Sequence, residues 1–375
     1  MMHPQHRCVL ALEDETAVHG IGLGAEQPVF GELVFNTNMT GYQEVLTDPS
    51  YAGQIVMMTY PLIGNYGIDD KHYESDRIQV RGYVVREACH KPSHRDCKMT
   101  LHQFLTKFSI PGIEDLDTRA LTKKTRVSGT LRAFLIPYVE GSPPDLHTVF
   151  RELKKRPYPD SDNLVATVSC KETKKWPGPD PHAMTVVVLD CGVKMNIIRH
   201  LCKFANVVQV PFDTTADAIR KLRPAGMLIS NGPGDPSHPE MIGTTVKTVR
   251  ALLPELPIMG ICLGHQMLSL AFGGQTYKLK FGHRGGNQPI KNLKTGKCAI
   301  TSQNHGFAVE ANSLPSEVEV SEINVSDNTV EAVDHKELPV FSVQYHPEAA
   351  PGPWDTRNHF ERFRMMMVSR GMLPK

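Results

Sequence analysis

From Thr185 onward the apolar positions switch between two periods. The runs Thr185–Leu189, Val207–Pro211, Met227–Ser230 and Ile258–Ile261 are short, nearly continuously apolar and bounded by turn residues, which predicts buried strands. Between them, 194–204 (through Ile197, Ile198 and Leu201), 215–223, 239–253 and 264–272 carry apolar residues at helical spacing. Strands alternating with helices of this length predict a mostly parallel sheet with helices on both faces, whose ligands sit outside the C-terminal strand ends. Residues 276–345 return to short strands, and 356–368 predicts a closing helix. The first 140 residues are richer in β-type patterns: Cys8–Leu12, Pro28–Asn36, Gln54–Thr59, Ile78–Ala88 and Thr130–Ile136, interrupted by a helical pattern over Thr100–Phe108. Residues 141–183 concentrate proline and predict a connector with at most one short helix near 145–155. The expected organisation is a β-rich α/β domain over 1–140, a linker over 141–183 and an α/β domain over 184–375.

Chemistry enters at Pro257-Ile-Met-Gly-Ile-Cys-Leu-Gly-His-Gln266. An apolar strand ends at Gly-x-Cys-x-Gly and a helical pattern starts at once, the strand–sharp turn–helix layout of a nucleophile elbow with Cys262 in the serine's place. A thiol at a helix N-terminus is biased toward thiolate. An isolated cysteine is more often a small buried apolar residue, and the two flanking glycines with the β-to-α switch favour the nucleophile. A thiolate nucleophile needs a base, and the base an orienting group. The run Pro339-Val-Phe-Ser-Val-Gln-Tyr-His-Pro-Glu348 offers a strand ending at His346, with Glu348 two residues on and able to face the same way. Read alone, this segment is equally a surface His-Pro turn.

Composition narrows the classes. The 375 residues suggest two domains, and 40% hydrophobic with 22% charged residues is ordinary for a globular protein. A net charge of +1 gives no electrostatic case for nucleic acid or an anionic membrane. The eight cysteines are spread without a Cys-x-x-Cys, so neither a disulfide framework nor a zinc ribbon is expected, and reduced thiols in a cytoplasmic setting are the simplest reading. Cys262 and His265 lie close, but no second Cys/His cluster completes a ligand set, and no metal is expected. The opening Met-Met-His-Pro-Gln-His-Arg lacks an apolar signal core, and no stretch approaches the ~18 apolar residues of a membrane span.

Gly-Ile-Cys-Leu-Gly-His-Gln (260–266) with His-Pro-Glu (346–348) resembles the class I glutamine amidotransferases, and Ser-Asn-Gly-Pro-Gly-Asp-Pro (230–236) is similar to that family's oxyanion segment. The first half narrows the resemblance. Phe35-Asn-Thr-Asn-Met-Thr-Gly-Tyr-Gln-Glu-Val-Leu-Thr-Asp-Pro-Ser-Tyr51, Thr59-Tyr-Pro-Leu-Ile-Gly-Asn-Tyr-Gly67, Pro92-Ser-His94 and Pro111-Gly-Ile with Asp117-Thr-Arg-Ala-Leu-Thr122 are similar to the carbamoyl phosphate synthetase small subunit. So are Gly282-His-Arg-Gly-Gly-Asn-Gln-Pro289 and Thr301-Ser-Gln-Asn-His-Gly-Phe-Ala-Val309. The likeness runs roughly from residue 8 to residue 368, and extends equally to the glutaminase part of the fused animal-type pyrimidine enzyme. Glu15 and Arg95 depart from the family pattern, at positions that bear on packing or docking.

The resemblance implies an enzyme that hydrolyses L-glutamine through Cys262, His346 and Glu348 by way of a thioester. It implies oxyanion donors at Gly232 and Leu263, and substrate contacts at Ser50, Gly232, Gly234, Leu263, Gln266, Asn304, Gly306 and Phe307. Because Ser50 comes from the first domain, the site is expected against the domain interface. No cofactor is implied on this chain. ATP and magnesium belong to the implied partner, an ATP-grasp large subunit or a fused continuation, which turns ammonia and bicarbonate into carbamoyl phosphate for pyrimidine or arginine synthesis. The sequence shows no P-loop and no ATP-grasp-sized region. Three other readings stay open: the amidotransferase of an anthranilate, GMP or CTP synthase, a hydrolase acting on other amides or esters, and a non-catalytic scaffold. The intact Cys262, His346 and Glu348 argue against the scaffold.

Overall fold

The computed structural model describes residues 6–371; residues 1–5 of the opening stretch and 372–375 at the other end lie outside it. The described chain divides into two compact units, one ending at Ser161 and the other beginning at Asp162, within the stretch read as a connector. That stretch is structured. Leu146–Lys155 is a helix capped by Asp145 whose Leu153 is buried against the first unit, and Lys174–Trp176 is an edge strand of the second.

The first unit is built on a closed barrel of seven strands, in the order Arg7–Leu12, Ala17–Gly24, Pro111–Glu114, Gly82–Val84, Gln54–Met58, Val29–Asn36 and Leu131–Tyr138. The helix Leu101–Lys107 starts at a reciprocal capping box, in which the Thr100 hydroxyl accepts from Gln103 N–H and the Gln103 side chain accepts from Thr100 N–H. The segments 35–51 and 59–67 are tied together here. Tyr42 stacks on Tyr66 with ring centroids 4.2 Å apart, Tyr66 Oη accepts from the Gly41 and Tyr42 N–H groups, and Tyr42 Oη donates to Gly67 O at 2.6 Å.

The second unit is a ten-stranded mixed sheet. Its centre is a parallel run of Asn206–Pro211, Thr185–Asp190, Gly226–Ile229, Ile258–Ile261 and Val340–Val343. The antiparallel strands Val330–His335, Val318–Asn324, Thr276–Asn292 and Cys298–Val309 extend it beyond Val343. Alternate side chains of the parallel strands face opposite layers. Val187, Leu189, Met227, Ile229 and Ile258 pack under the helices Lys247–Leu252 and Leu263–Ala271. Val186, Val188, Leu228, Met259, Phe341 and Val343 pack under Met195–Leu201 and Asn358–Gly371. Because all five central strands run the same way, their C-terminal ends open onto one edge, where 190–194, 230–234, 262–263 and 344–348 meet. Among the described residues no helix is long and apolar enough to cross a membrane.

Candidate active site

Cys262 is the hinge between the strand Ile258–Ile261 and the helix Leu263–Ala271, and it holds φ 56° and ψ −106°. A non-glycine residue in that region is strained, and such strain persists only where the surroundings over-determine it. Here they do. The Cys262 N–H donates to Val343 O at 2.9 Å on the neighbouring strand. A Cβ on Gly264 would stand 2.1 Å from Ile229 O, so the helix leaves the sheet at a distance only glycine allows. The thiol, 2% exposed as a residue, donates to Asn304 O at 3.6 Å.

His346 is placed by the same register. Ile261 pairs with Val343, so the chain that leaves Val343 passes beside the elbow and reaches His346 three residues later. The His346 N–H donates to Ser302 O at 2.9 Å, and Nδ1 lies 2.7 Å from Glu348 Oε1. Nε2 is buried and has no hydrogen-bond partner among the described residues. Glu348 is wholly buried, and its Oε1 also takes the Lys194 ammonium at 2.7 Å, while Asn196 Nδ2 donates to its backbone carbonyl. Burial opposes ionisation of Glu348, but the Lys194 and His346 charges and hydrogen bonds outweigh it and hold the carboxyl well below the usual range.

The loop 230–234 closes over the elbow. A Cβ on Gly232 would stand 2.1 Å from Cys191 O and 2.8 Å from Leu263 Cδ2, which fixes the loop against both. Ser230 Oγ donates to Asn231 O at 2.8 Å and accepts Cys191 N–H at 2.9 Å, and Asn231 Oδ1 accepts Lys194 N–H. Leu263 opens its helix, where N–H groups have no carbonyl of their own helix to bond. Gly234 turns the loop away at φ +89°. On the other flank, Gln266 Nε2 donates to Phe307 O at 2.9 Å and to Gln344 Oε1 at 3.0 Å, tying the elbow helix to the strand that carries Asn304, Gly306 and Phe307. The structure thus gathers Cys262, Leu263, Gln266, Gly232, Gly234, Asn304, Gly306, Phe307, His346 and Glu348 in the second unit. Ser50 belongs to the first unit, buried in the turn Pro49–Tyr51, where its N–H donates to Asp48 Oδ1 at 2.9 Å. His265 is wholly buried beside the elbow with Nδ1 2.8 Å from Ser342 Oγ, and burial pushes its imidazole down to about 3.

Lys194 was not singled out in the sequence, although one signal was available. It is the N-cap of a helix, where a positive charge opposes the helix dipole, and such a charge implies a nearby anion. Replacing Lys194 by Met strands a buried carboxylate, a change that costs about 3–5 kcal/mol when a buried pair is broken on one side. Glu348 ionises more readily folded than unfolded, so its contribution is present above the ordinary carboxylate range and is lost as the pH falls. The melting temperatures of wild type and Lys194→Met should therefore differ most at pH 7 and converge only as the pH falls well below 4, through the depressed range of Glu348. A gap independent of pH would mean that only packing was lost.

The fold and these contacts define a class. The family model of class I glutamine amidotransferases matches residues 187–366, the unit that holds the elbow. The family model of the carbamoyl-phosphate synthase small chain, CPSase domain, matches residues 10–135, the barrel unit. The chain is 53% identical to the carbamoyl phosphate synthase small chain of Methanocaldococcus jannaschii, over 94% of this chain and 97% of that one. It is 47% identical to the small chain of Archaeoglobus fulgidus, over 96% and 99%, and 48% identical to that of Aquifex aeolicus, over 96% and 98%. The chain belongs to the carbamoyl-phosphate synthase small chain family and is an enzyme of the glutamine amidotransferase class.

Proposed function

We propose that this chain hydrolyses L-glutamine at Cys262 and supplies the ammonia to a carbamoyl phosphate synthetase large subunit, or to a fused equivalent of it. The observation that carries this reading is the strained Cys262 at the mouth of the parallel sheet, with the His346–Glu348 pair on the adjoining strand end. Cys262 Sγ attacks the carboxamide carbon of glutamine while His346 Nε2 takes the thiol proton. The oxyanion is received by the N–H groups of Gly232 and Leu263, each worth about 3–4 kcal/mol in sites of this kind. The C–N bond breaks as His346 returns the proton to the leaving nitrogen, and ammonia departs. Water, deprotonated by the same imidazole, then attacks the thioester, and glutamate leaves as Sγ regains its proton.

Glu348 keeps Nδ1 protonated, which leaves the lone pair on Nε2 where the thiol proton must go. Lys194 keeps Glu348 ionised. Gln266, Asn304, Gly306, Phe307 and Gly234 form the wall that receives the amino-acid end of glutamine. Ammonia released to water would be protonated and lost as a nucleophile, so the account needs a docked partner, which also holds ATP and magnesium. Carbamoyl phosphate made in this way would feed pyrimidine or arginine synthesis. The eight thiols are all free, which accords with a reducing cytoplasm.

A chloroketone analogue of glutamine places an electrophilic carbon where the carboxamide carbon binds. It should alkylate Cys262 alone among the eight cysteines, and glutamine should protect it. Modification spread over several cysteines, unaffected by glutamine, would contradict the assignment.

A further inference from the structure

From the strand Cys298–Val309 to the strand Val330–His335 runs a buried polar chain that the mechanism above does not use. His305 Nδ1 is 2.8 Å from Phe307 O, and His305 Nε2 is 3.0 Å from Gln303 Oε1. Gln303 Nε2 is 2.8 Å from Glu331 Oε2 and 3.1 Å from Thr301 Oγ1, and Asn324 Nδ2 donates to Glu331 Oε1 at 3.0 Å. His305, Gln303 and Glu331 are all buried. The charged or titratable groups around the chain are His283 and Arg284 on the strand Thr276–Asn292, Asp327, Tyr345 and His346. Among the described residues His283 Nδ1 is buried without a hydrogen-bond partner, 3.9 Å from Glu331 Oε1, and its other nitrogen is held by Asp327 at 2.8 Å.

Proton counting constrains this chain. For His305 to hold Phe307 O, Nδ1 must carry hydrogen, and in a neutral imidazole Nε2 is then an acceptor. It would face the Gln303 carbonyl oxygen, also an acceptor. Two arrangements remove that conflict. In one, His305 is an imidazolium and Glu331 a carboxylate. In the other, Glu331 is a carboxylic acid that donates to Gln303 Oε1, and the Gln303 amide is turned so that its NH2 donates to neutral His305. The Thr301 hydroxyl, which donates to Gln288 O at 2.9 Å, serves either orientation by rotating. Both arrangements hold one proton between Glu331 and His305. Remove it, and His305 must move its hydrogen to Nε2 and release Phe307 O. Burial pushes His305 well below its usual range and Glu331 up to about 7, so both groups favour the neutral arrangement.

We propose that Glu331, acting through the Gln303 amide, is a positioning residue for the glutamine site: it fixes the His305 tautomer that donates to Phe307 O. Phe307 O also receives Gln266 Nε2, so the same carbonyl joins the strand to the elbow helix. The consequence for substrate binding rests on the glutaminase reading above; the tautomer itself does not. The pH sign follows from the raised carboxyl. The proton is present below about 7 and is lost as the pH rises through that value, and glutamine binding weakens with its loss.

The test compares wild type, Glu331→Gln and Glu331→Leu as full chains with the synthetase partner, measuring glutamine KM and kcat from pH 6.5 to 9.5. A Gln side chain donates and accepts as the carboxylic acid does. Glu331→Gln should keep the wild-type KM of pH 6.5 and hold it to pH 9.5, whereas the wild-type KM rises several-fold, on the order of tenfold for a lost binding interaction of ordinary strength. Glu331→Leu should show the raised KM at every pH with kcat changed less than about threefold. Nitrogen-15 NMR of the His305 imidazole gives a readout independent of activity: Nδ1–H persists at pH 9.5 in Glu331→Gln and is lost in wild type. Equal KM elevation in Glu331→Gln and Glu331→Leu, or an unchanged wild-type tautomer, would overturn the proposal. So would one tightly held divalent metal per purified chain, which would make His283, His305 and Glu331, whose ligating atoms lie within 4.8 Å of one another, a metal centre instead. A wild-type chain that released no ammonia from glutamine while its His305 titrated as described would contradict the glutaminase reading and leave the tautomer assignment standing.

Discussion

Replacing His346 by Asn should lower kcat for glutamine hydrolysis by about a thousandfold while leaving KM within about threefold, because the positioned acid–base group acts in the transition state and contributes 10²–10⁴ in such reactions. Asn is smaller than His, but its NH2 can stand where Nδ1 stands and still donate to Glu348, so the buried ion pair with Lys194 keeps a partner there. What Asn cannot do is take the thiol proton and give it to the leaving nitrogen. A thousandfold is roughly 4 kcal/mol, more than one neutral hydrogen bond supplies, so the loss separates proton transfer from simple contact. Steady-state ammonia release by the chain with its partner measures it. A decline below tenfold would place the base elsewhere. The protein that carries the substitution should also bind glutamine, which distinguishes lost chemistry from a collapsed site.

Much of this site was legible in the chain because its parts are local. Gly260-Ile-Cys-Leu-Gly264 encodes a turn whose chemistry follows from its geometry, and the four strands read between Thr185 and Ile261 are mostly apolar runs, buried except at the ends of the first two, that alternate with amphipathic helices. Sheet register then does the rest, since the parallel pairing of Ile261 with Val343 sets the His346 segment beside the elbow. The barrel unit was read less completely. Ala17–Gly24 contains three glycines and Pro111–Glu114 starts with proline, so neither shows the apolar alternation that marks a strand. The helix Thr118–Ser128 buries only Thr118, Leu121 and Thr125, so its sequence shows no apolar stripe. Ile78–Ala88 reads as one strand but supplies two short ones, Gly82–Val84 to the barrel and Glu87–Ala88 to a separate pair.

In the second unit, the short strands expected over 276–345 include a long one, Thr276–Asn292, and Gly282, Gly285 and Gly286 fall within it. Register shifts between Lys278 and His283 and between Gly285 and Gln288 absorb them. The ion pair of Lys194 with Glu348 joins positions far apart in the chain, and the chain of His305, Gln303 and Glu331 joins two strands of the antiparallel extension, Cys298–Val309 and Val330–His335. Such groups are paired by tertiary structure, and no local pattern encodes them.

Cys262→Ser separates the chemistry assigned to this chain from that assigned to its partner. The serine hydroxyl fits the φ 56° turn and the contact to Asn304 O, but it is far less acidic than a thiol, so the nucleophile is lost while the fold is kept. The decisive measurement is carbamoyl phosphate formation by the variant and its synthetase partner, run in parallel with glutamine and with ammonia as nitrogen donor. The account predicts that glutamine-dependent synthesis falls by at least about a thousandfold, as when one member of a catalytic triad is removed, and that ammonia-dependent synthesis is unchanged. Loss of both activities together, or retention of both, would contradict it.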